Sequence, residues 1–162
     1  MKRTAILSVL ILLSLLCLAS AQADNCSHPV LIGLMQIDDG TVLGPQTPIY
    51  GATGGVVDNV SSGGGKAVFS PFAVQKALDA TSPNLIKNAA NGKNLKTVTI
   101  TINATQTTPA AIIELSDGLI SSYSVAPTCG VMLESVQFDF GKIRITVNGV
   151  TACWDIVLNK NC

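Results

Sequence analysis

The chain has 162 residues, 48% hydrophobic and 12% charged, and its ten Lys and Arg balance ten Asp and Glu. With no net charge it has no long-range field to draw in a polyanion, which excludes a basic nucleic-acid platform. Its length is that of one ordinary domain.

The first element is a leader. Lys2 and Arg3 precede an apolar run over 5–18 that ends in the small-residue site Ala21-Gln22-Ala23. This order predicts a secretory signal over 1–23 and a mature chain, a single domain over 24–162, that is secreted or periplasmic after cleavage. Removing Lys2 and Arg3 leaves eight basic residues against ten acidic ones, a net charge of −2 on 139 residues. The apolar run is shorter than the ~20 residues of a spanning helix, and no later segment reaches that length, so stable membrane insertion is not expected. Leu16 before Cys17 does not suit lipid attachment.

After the leader, 30–37 reads as a first strand closed by the turn residues Asp38-Asp39-Gly40. The segment 51–65 holds six glycines and reads as a long loop. Between Ser82 and Gly92 lies the one short helix, about 83–91: Ser82 suits a cap, Pro83 the first helical position and Gly92 a left-handed stop. In 96–104, Val98, Ile100, Ile102 and Ala104 alternate with Thr97, Thr99, Thr101 and Asn103, the pattern of a strand with one buried face. The runs 111–115 and 119–125 flank Ser116-Asp117-Gly118 and read as a hairpin. In 134–147 the apolar parity changes from Val136, Phe138 and Phe140 to Ile143, Ile145 and Val147. One long strand with a bulge at Phe140-Gly141 explains the change; a tight hairpin there is the rival. With aromatics at 4% and Thr, Val and Ile abundant, the fold class is mainly β.

Candidate chemistry is sparse. His28, the single histidine, stands beside Pro29 near the mature N-terminus and reads as exposed. Gly63-Gly64-Gly65-Lys66 is followed by Ala67 where a phosphate loop needs Ser or Thr, and Val60 stands where it needs Gly. Asp38 and Asp39 lack the alternating acids and distal Glu of a calcium loop. The acids Asp79, Glu114, Asp117, Glu134, Asp139 and Asp155 are scattered and form no recognisable acid/base pair. The spacing implies no enzyme, cofactor or metal site. Three Asn-x-Ser/Thr sequences, at Asn25, Asn59 and Asn103, read as incidental. Once Cys17 leaves with the leader, Cys26, Cys129, Cys153 and Cys162 form an even set in a chain bound for an oxidising compartment. Two disulfides are expected. Four cysteines allow three connectivities, of which Cys153–Cys162 with Cys26–Cys129 is preferred because the first closes a short loop that ties down the C-terminal tail.

Several segments carry a resemblance in order and spacing. They are Phe69-Ser70-Pro71-Phe72-Ala73-Val74-Gln75-Lys76, Asp79-Ala80-Thr81-Ser82-Pro83-Asn84-Leu85 and Asn91-Gly92-Lys93-Asn94-Leu95-Lys96. Leu119-Ile120-Ser121-Ser122-Tyr123-Ser124 and Glu134-Ser135-Val136-Gln137-Phe138-Asp139-Phe140-Gly141-Lys142-Ile143 follow, with Trp154-Asp155-Ile156-Val157-Leu158-Asn159-Lys160 as a tail. Together they resemble the haemolysin-coregulated protein (Hcp) family, which forms the inner tube of type VI secretion systems. The resemblance implies a compact β-barrel of two packed antiparallel sheets with one short helix. It implies a structural role as a homohexamer, in rings or a tube whose lumen can hold secreted effector proteins. The leader and the four cysteines point to an alternative, an exported monomeric binding module with the same barrel and no tube.

Overall fold

Alternation of Thr with Val and Ile places strand β7 (Leu95–Ile102) at the heart of the larger sheet, with Leu95, Val98 and Ile100 buried. In the computed structural model, which describes residues 27–58, 66–103 and 109–162, β7 is flanked by β1 (Gly33–Asp38) and by β8 (Ala111–Thr128), both antiparallel. The first strand thus starts three residues later than the sequence suggests. Beyond β8 this sheet continues through β10 (Lys142–Val147), β11 (Val150–Asp155) and the short β12 (Lys160–Asn161); at its other end β1 pairs with β2 (Thr47–Ile49).

A second layer is built from β3 (Gly51–Thr53), β6 (Phe72–Ala77), β9 (Val131–Asp139) and the later half of β8. Only Tyr50 separates β2 from β3, so this stretch passes the chain from one layer to the other, and the Tyr50 amide bonds Gln75 at 2.8 Å as it crosses. Between the layers lies a core of Met35, Ile49, Phe72, Val74, Val136 and Phe138 among others. The glycine-rich 51–65 is not one loop. Gly51–Thr53 pairs with β6, and β4 (Val56–Asp58) forms a separate two-stranded ribbon with β5 (Ala67–Phe69). Residues 59–65, the glycine triplet among them, and Ala104 lie outside the described residues.

The expected hairpin at Ser116-Asp117-Gly118 is absent: 111–128 is one continuous strand. Asp117 does adopt a left-handed φ of 55°, so the turn-like residues mark a kink rather than a reversal. β9 and β10 run in the same direction along the same edge of β8, as one long strand requires and a tight hairpin forbids. Yet no residue is inserted at Phe140-Gly141. Leu119 pairs with Asp139 and Ser116 with Lys142, which leaves two residues on each strand between those pairs. The change of face is therefore made by both strands together, and the register shift itself sits on β8 between Ile120 and Ser122.

The one helix among the described residues, α1 (Ser82–Asn91), begins with Pro in its first turn and ends at Gly92, whose φ of 57° and ψ of 38° form the left-handed stop. Leu85 enters the core and Ala89 packs against it. Thr81, rather than Ser82, occupies the N-cap position, and no side chain caps the helix. Ser82 is buried, and its hydroxyl instead accepts the Asp79 amide at 3.0 Å, tightening the turn that leads in from β6.

Candidate functional site

Among the described residues, the most extensive buried polar cluster lies where β6, β9 and the start of α1 meet. Lys76 falls on the inward parity of β6 with Phe72 and Val74, and Glu134 on that of β9 with Val136 and Phe138. The two are register partners and both side chains are fully buried. Lys76 Nζ donates to Glu134 Oε1 and to the Ala77 carbonyl at 2.9 Å, and it lies 3.0 Å from Asp79 Oδ1. From β8, Tyr123 donates its hydroxyl to Glu134 Oε2.

Burial, reinforced by the Glu134 carboxylate that accepts its proton, pushes the Tyr123 phenol well above its ordinary range, so Tyr123 stays a neutral donor. Burial also pushes the Asp79 carboxyl up, but hydrogen bonds from Thr81 and Lys76 outweigh it and hold Asp79 below its ordinary value. The ammonium thus spends its three N–H bonds on Glu134, Asp79 and Ala77. The chemistry of the cluster is that of a tie between β6, β8, β9 and the entry to α1.

Asp79 and Glu134 are two of the acids that stand apart in the sequence, 55 positions from each other. The signal that reaches this cluster is the parity of Lys76 and Glu134, which each sit where an alternating strand demands an apolar residue, and Asp79 joins them through Lys76. The other acids serve locally. Asp39 accepts from the Thr41 and Val42 amides and the Thr41 hydroxyl. Lys93 is the strongest influence holding its carboxyl below the usual range, with the Thr41 and Val42 contacts adding to it. Asp38 lies 3.4 Å from Lys96, Glu114 3.4 Å from Arg144 and Asp117 3.3 Å from Lys142. Buried Asp155 caps the Leu158 amide at 2.8 Å. His28 is exposed.

No group of three His, Cys, Asp or Glu able to hold a metal occurs among the described residues. A groove of 440 Å³ between α1 and the β1–β2 turn is floored by Met35, Ile37 and Leu85 and rimmed by Asn84, Asn88 and Lys93, with no His, Cys or Ser in its lining. Cys153 and Cys162 are joined across β11 and β12, with Cα atoms 5.3 Å apart, and Cys129 is itself disulfide-bonded. Cys26 lies outside the described residues.

The surface is more informative than the interior. The β4–β5 ribbon carries Val57 and Val68 as register partners on one side, both exposed, while Phe69 on the other side packs edge-on against Phe140 at 6.1 Å between ring centres. Exposed apolar residues recur at the far edge of the larger sheet, on β10 and β11.

A family model described as "Type VI secretion system effector, Hcp" matches residues 49–147. No curated protein matches the chain. Among solved structures, Hcp1 from Salmonella typhimurium superposes with a TM-score of 0.69 at 14% identity, over 82% of this chain and 100% of its own. The secreted protein Hcp3 from Pseudomonas aeruginosa gives 0.65 at 20% identity, over 78% and 98%. A type six secretion system protein gives 0.68 at 20% identity, over 82% and 100%. These identities carry the likeness of fold, a mainly β protein of two sheets with one helix among the described residues.

Proposed function

The chain belongs to the Hcp family of type VI secretion, and from that membership we propose that it is a structural subunit that self-associates head to tail into six-membered rings able to stack as a tube. Identical subunits joined by a heterologous contact either close into a ring or run on as a filament, and both outcomes suit a tube. The observation that carries the reading is the match of the family model over 49–147. The exposed Val57 and Val68 of the β4–β5 ribbon, on the side opposite the Phe69–Phe140 contact, support it as apolar surface available to a neighbouring subunit. The protein acts through subunit contacts rather than through a catalytic group, and the ring lumen can hold secreted effector proteins. Native mass spectrometry of the oxidised protein over a concentration series is expected to show a hexamer. Monomer up to high micromolar concentration defeats this reading.

The Cys153–Cys162 bond favours a second reading, an exported monomeric module, since a disulfide in the C-terminal hairpin suits a chain that matures outside the cytoplasm. Both readings include export with cleavage after Ala23. With Cys17 removed and Cys153 bound to Cys162, Cys26 is the partner we assign to Cys129. Mass spectrometry of the exported product is expected to find Asp24 first and a Cys26–Cys129 peptide on unreduced digestion. An intact Met1, or a free thiol at Cys26, contradicts this.

A further inference from the structure

Beyond β11 the chain folds back on the larger sheet. A turn over 156–159, with Asn159 at a left-handed φ of 51°, returns it as β12, which makes two register pairs, Trp154 with Asn161 and Asp155 with Lys160. At the next position of that register the Cys153–Cys162 disulfide joins the strands, and the Cys162 amide reaches the Cys153 carbonyl at 3.4 Å. Little else holds the returning segment. Val157 and Leu158 are 77% and 59% exposed, and Lys160, Asn161 and Cys162 are exposed as well, so none of them enters the core. Buried Asp155 caps the Leu158 amide, but that bond shapes the turn rather than the strand. A ladder of two pairs with no buried side chain offers little against the entropy of ordering its residues. The disulfide is therefore what keeps β12 in place.

The body of the barrel does not share this dependence. On its inner side β11 has six register pairs with β10, the Ile156 amide bonds the Gly141 carbonyl at 2.8 Å, and Trp154 packs against the core with its indole Nε1 buried. On its outer side, among the described residues, β12 is the one strand that pairs with β11, and it leaves 150–152 uncovered. We propose that Cys153–Cys162 is a redox latch, and that its reduction by a dithiol protein frees 157–162 and bares the outer edge of β11 along its whole length while the barrel stays folded. Cys162 is exposed and Cys153 half-buried, so Cys162 Sγ is the atom open to attack. A thiolate of the reductant bonds to Cys162 Sγ, the disulfide breaks, and Cys153 leaves as a thiolate that takes up a proton. The second thiolate of the reductant then displaces Cys162, which also gains a proton; two electrons have passed to the latch and the dithiol has become a disulfide. A strand edge with free N–H and C=O groups is a template for another strand. The redox state thus sets how much of this edge is open, 150–152 in the disulfide form and 150–155 in the dithiol form. The latch is complete within one subunit and does not depend on the ring reading.

The test uses the full mature chain, with dithiothreitol as the dithiol. Without urea, dithiothreitol is expected to open Cys153 and Cys162 to alkylation. Cys153→Ser combined with Cys162→Ser removes this bond alone and leaves the Cys129 disulfide in place. In that double variant, hydrogen exchange over 157–162 is expected to run at least tenfold faster than in the oxidised parent. Exchange in β7 and β9 is expected to be unchanged, as is the emission wavelength of Trp154, the one tryptophan of the chain. A bond that resists dithiothreitol without urea overturns the latch. So does a double variant that keeps 157–162 as protected as the parent does. Faster exchange in β7 and β9 as well, or a shifted Trp154 emission, also overturns it, because the bond would then hold the barrel as a whole.

Discussion

Lys76→Met is expected to lower the unfolding free energy by about 3–5 kcal/mol, the cost of leaving a buried partner charge uncompensated. Glu134 is fully buried opposite Lys76 and keeps a single remaining side-chain donor, Tyr123, when the ammonium is gone. Asp79 loses its ammonium partner as well, but it is partly exposed and water can replace that contact. Replacing both members of the pair, Lys76→Met with Glu134→Leu, is expected to cost markedly less than the single change, because no lone charge remains in the core. Urea unfolding of the three proteins checks this. A single variant within about 1 kcal/mol of the parent would mean that the cluster does not hold the sheets together.

The second large effect is expected at Gly118. A Cβ added there would stand 2.3 Å from the Asp139 carbonyl oxygen, a backbone atom that cannot move aside without parting β8 from β9. Gly118→Ala is therefore expected to cost about 3 kcal/mol, at the upper end of what overpacking usually costs. Gly141 lies nearby, but its nearest neighbours would be 3.4 Å away, an ordinary contact, and its φ is not left-handed. Gly141→Ala is expected to stay within about 1 kcal/mol of the parent. Equal midpoints for the two variants would contradict the matched kink.

These two sites show what the amino-acid order reveals and what it conceals. The alternation over β7 and the Pro83 and Gly92 boundaries of α1 are local signals, and local geometry obeys them. Ser116-Asp117-Gly118 is also a local signal, for a residue with positive φ, and Asp117 has one. Whether such a residue reverses a strand or kinks it depends on the strands alongside, here β7 and the continuous β9–β10, which hold β8 straight through the kink. The buried pair is concealed for a different reason. Lys76 and Glu134 are 58 positions apart, and only the register of β6 on β9 makes them neighbours. Ser82 was legible as a residue that matters at the helix start, but its partner is the Asp79 amide behind it rather than the helix ahead.

Electron microscopy of the mature, oxidised protein tests the ring reading most directly, because it reads size and symmetry together. Closed rings with six-fold symmetry, some stacked into short tubes, are the expected result. Uniform particles of single-subunit size, from a preparation whose disulfides are intact, would contradict it and leave the exported monomeric module as the function of this barrel.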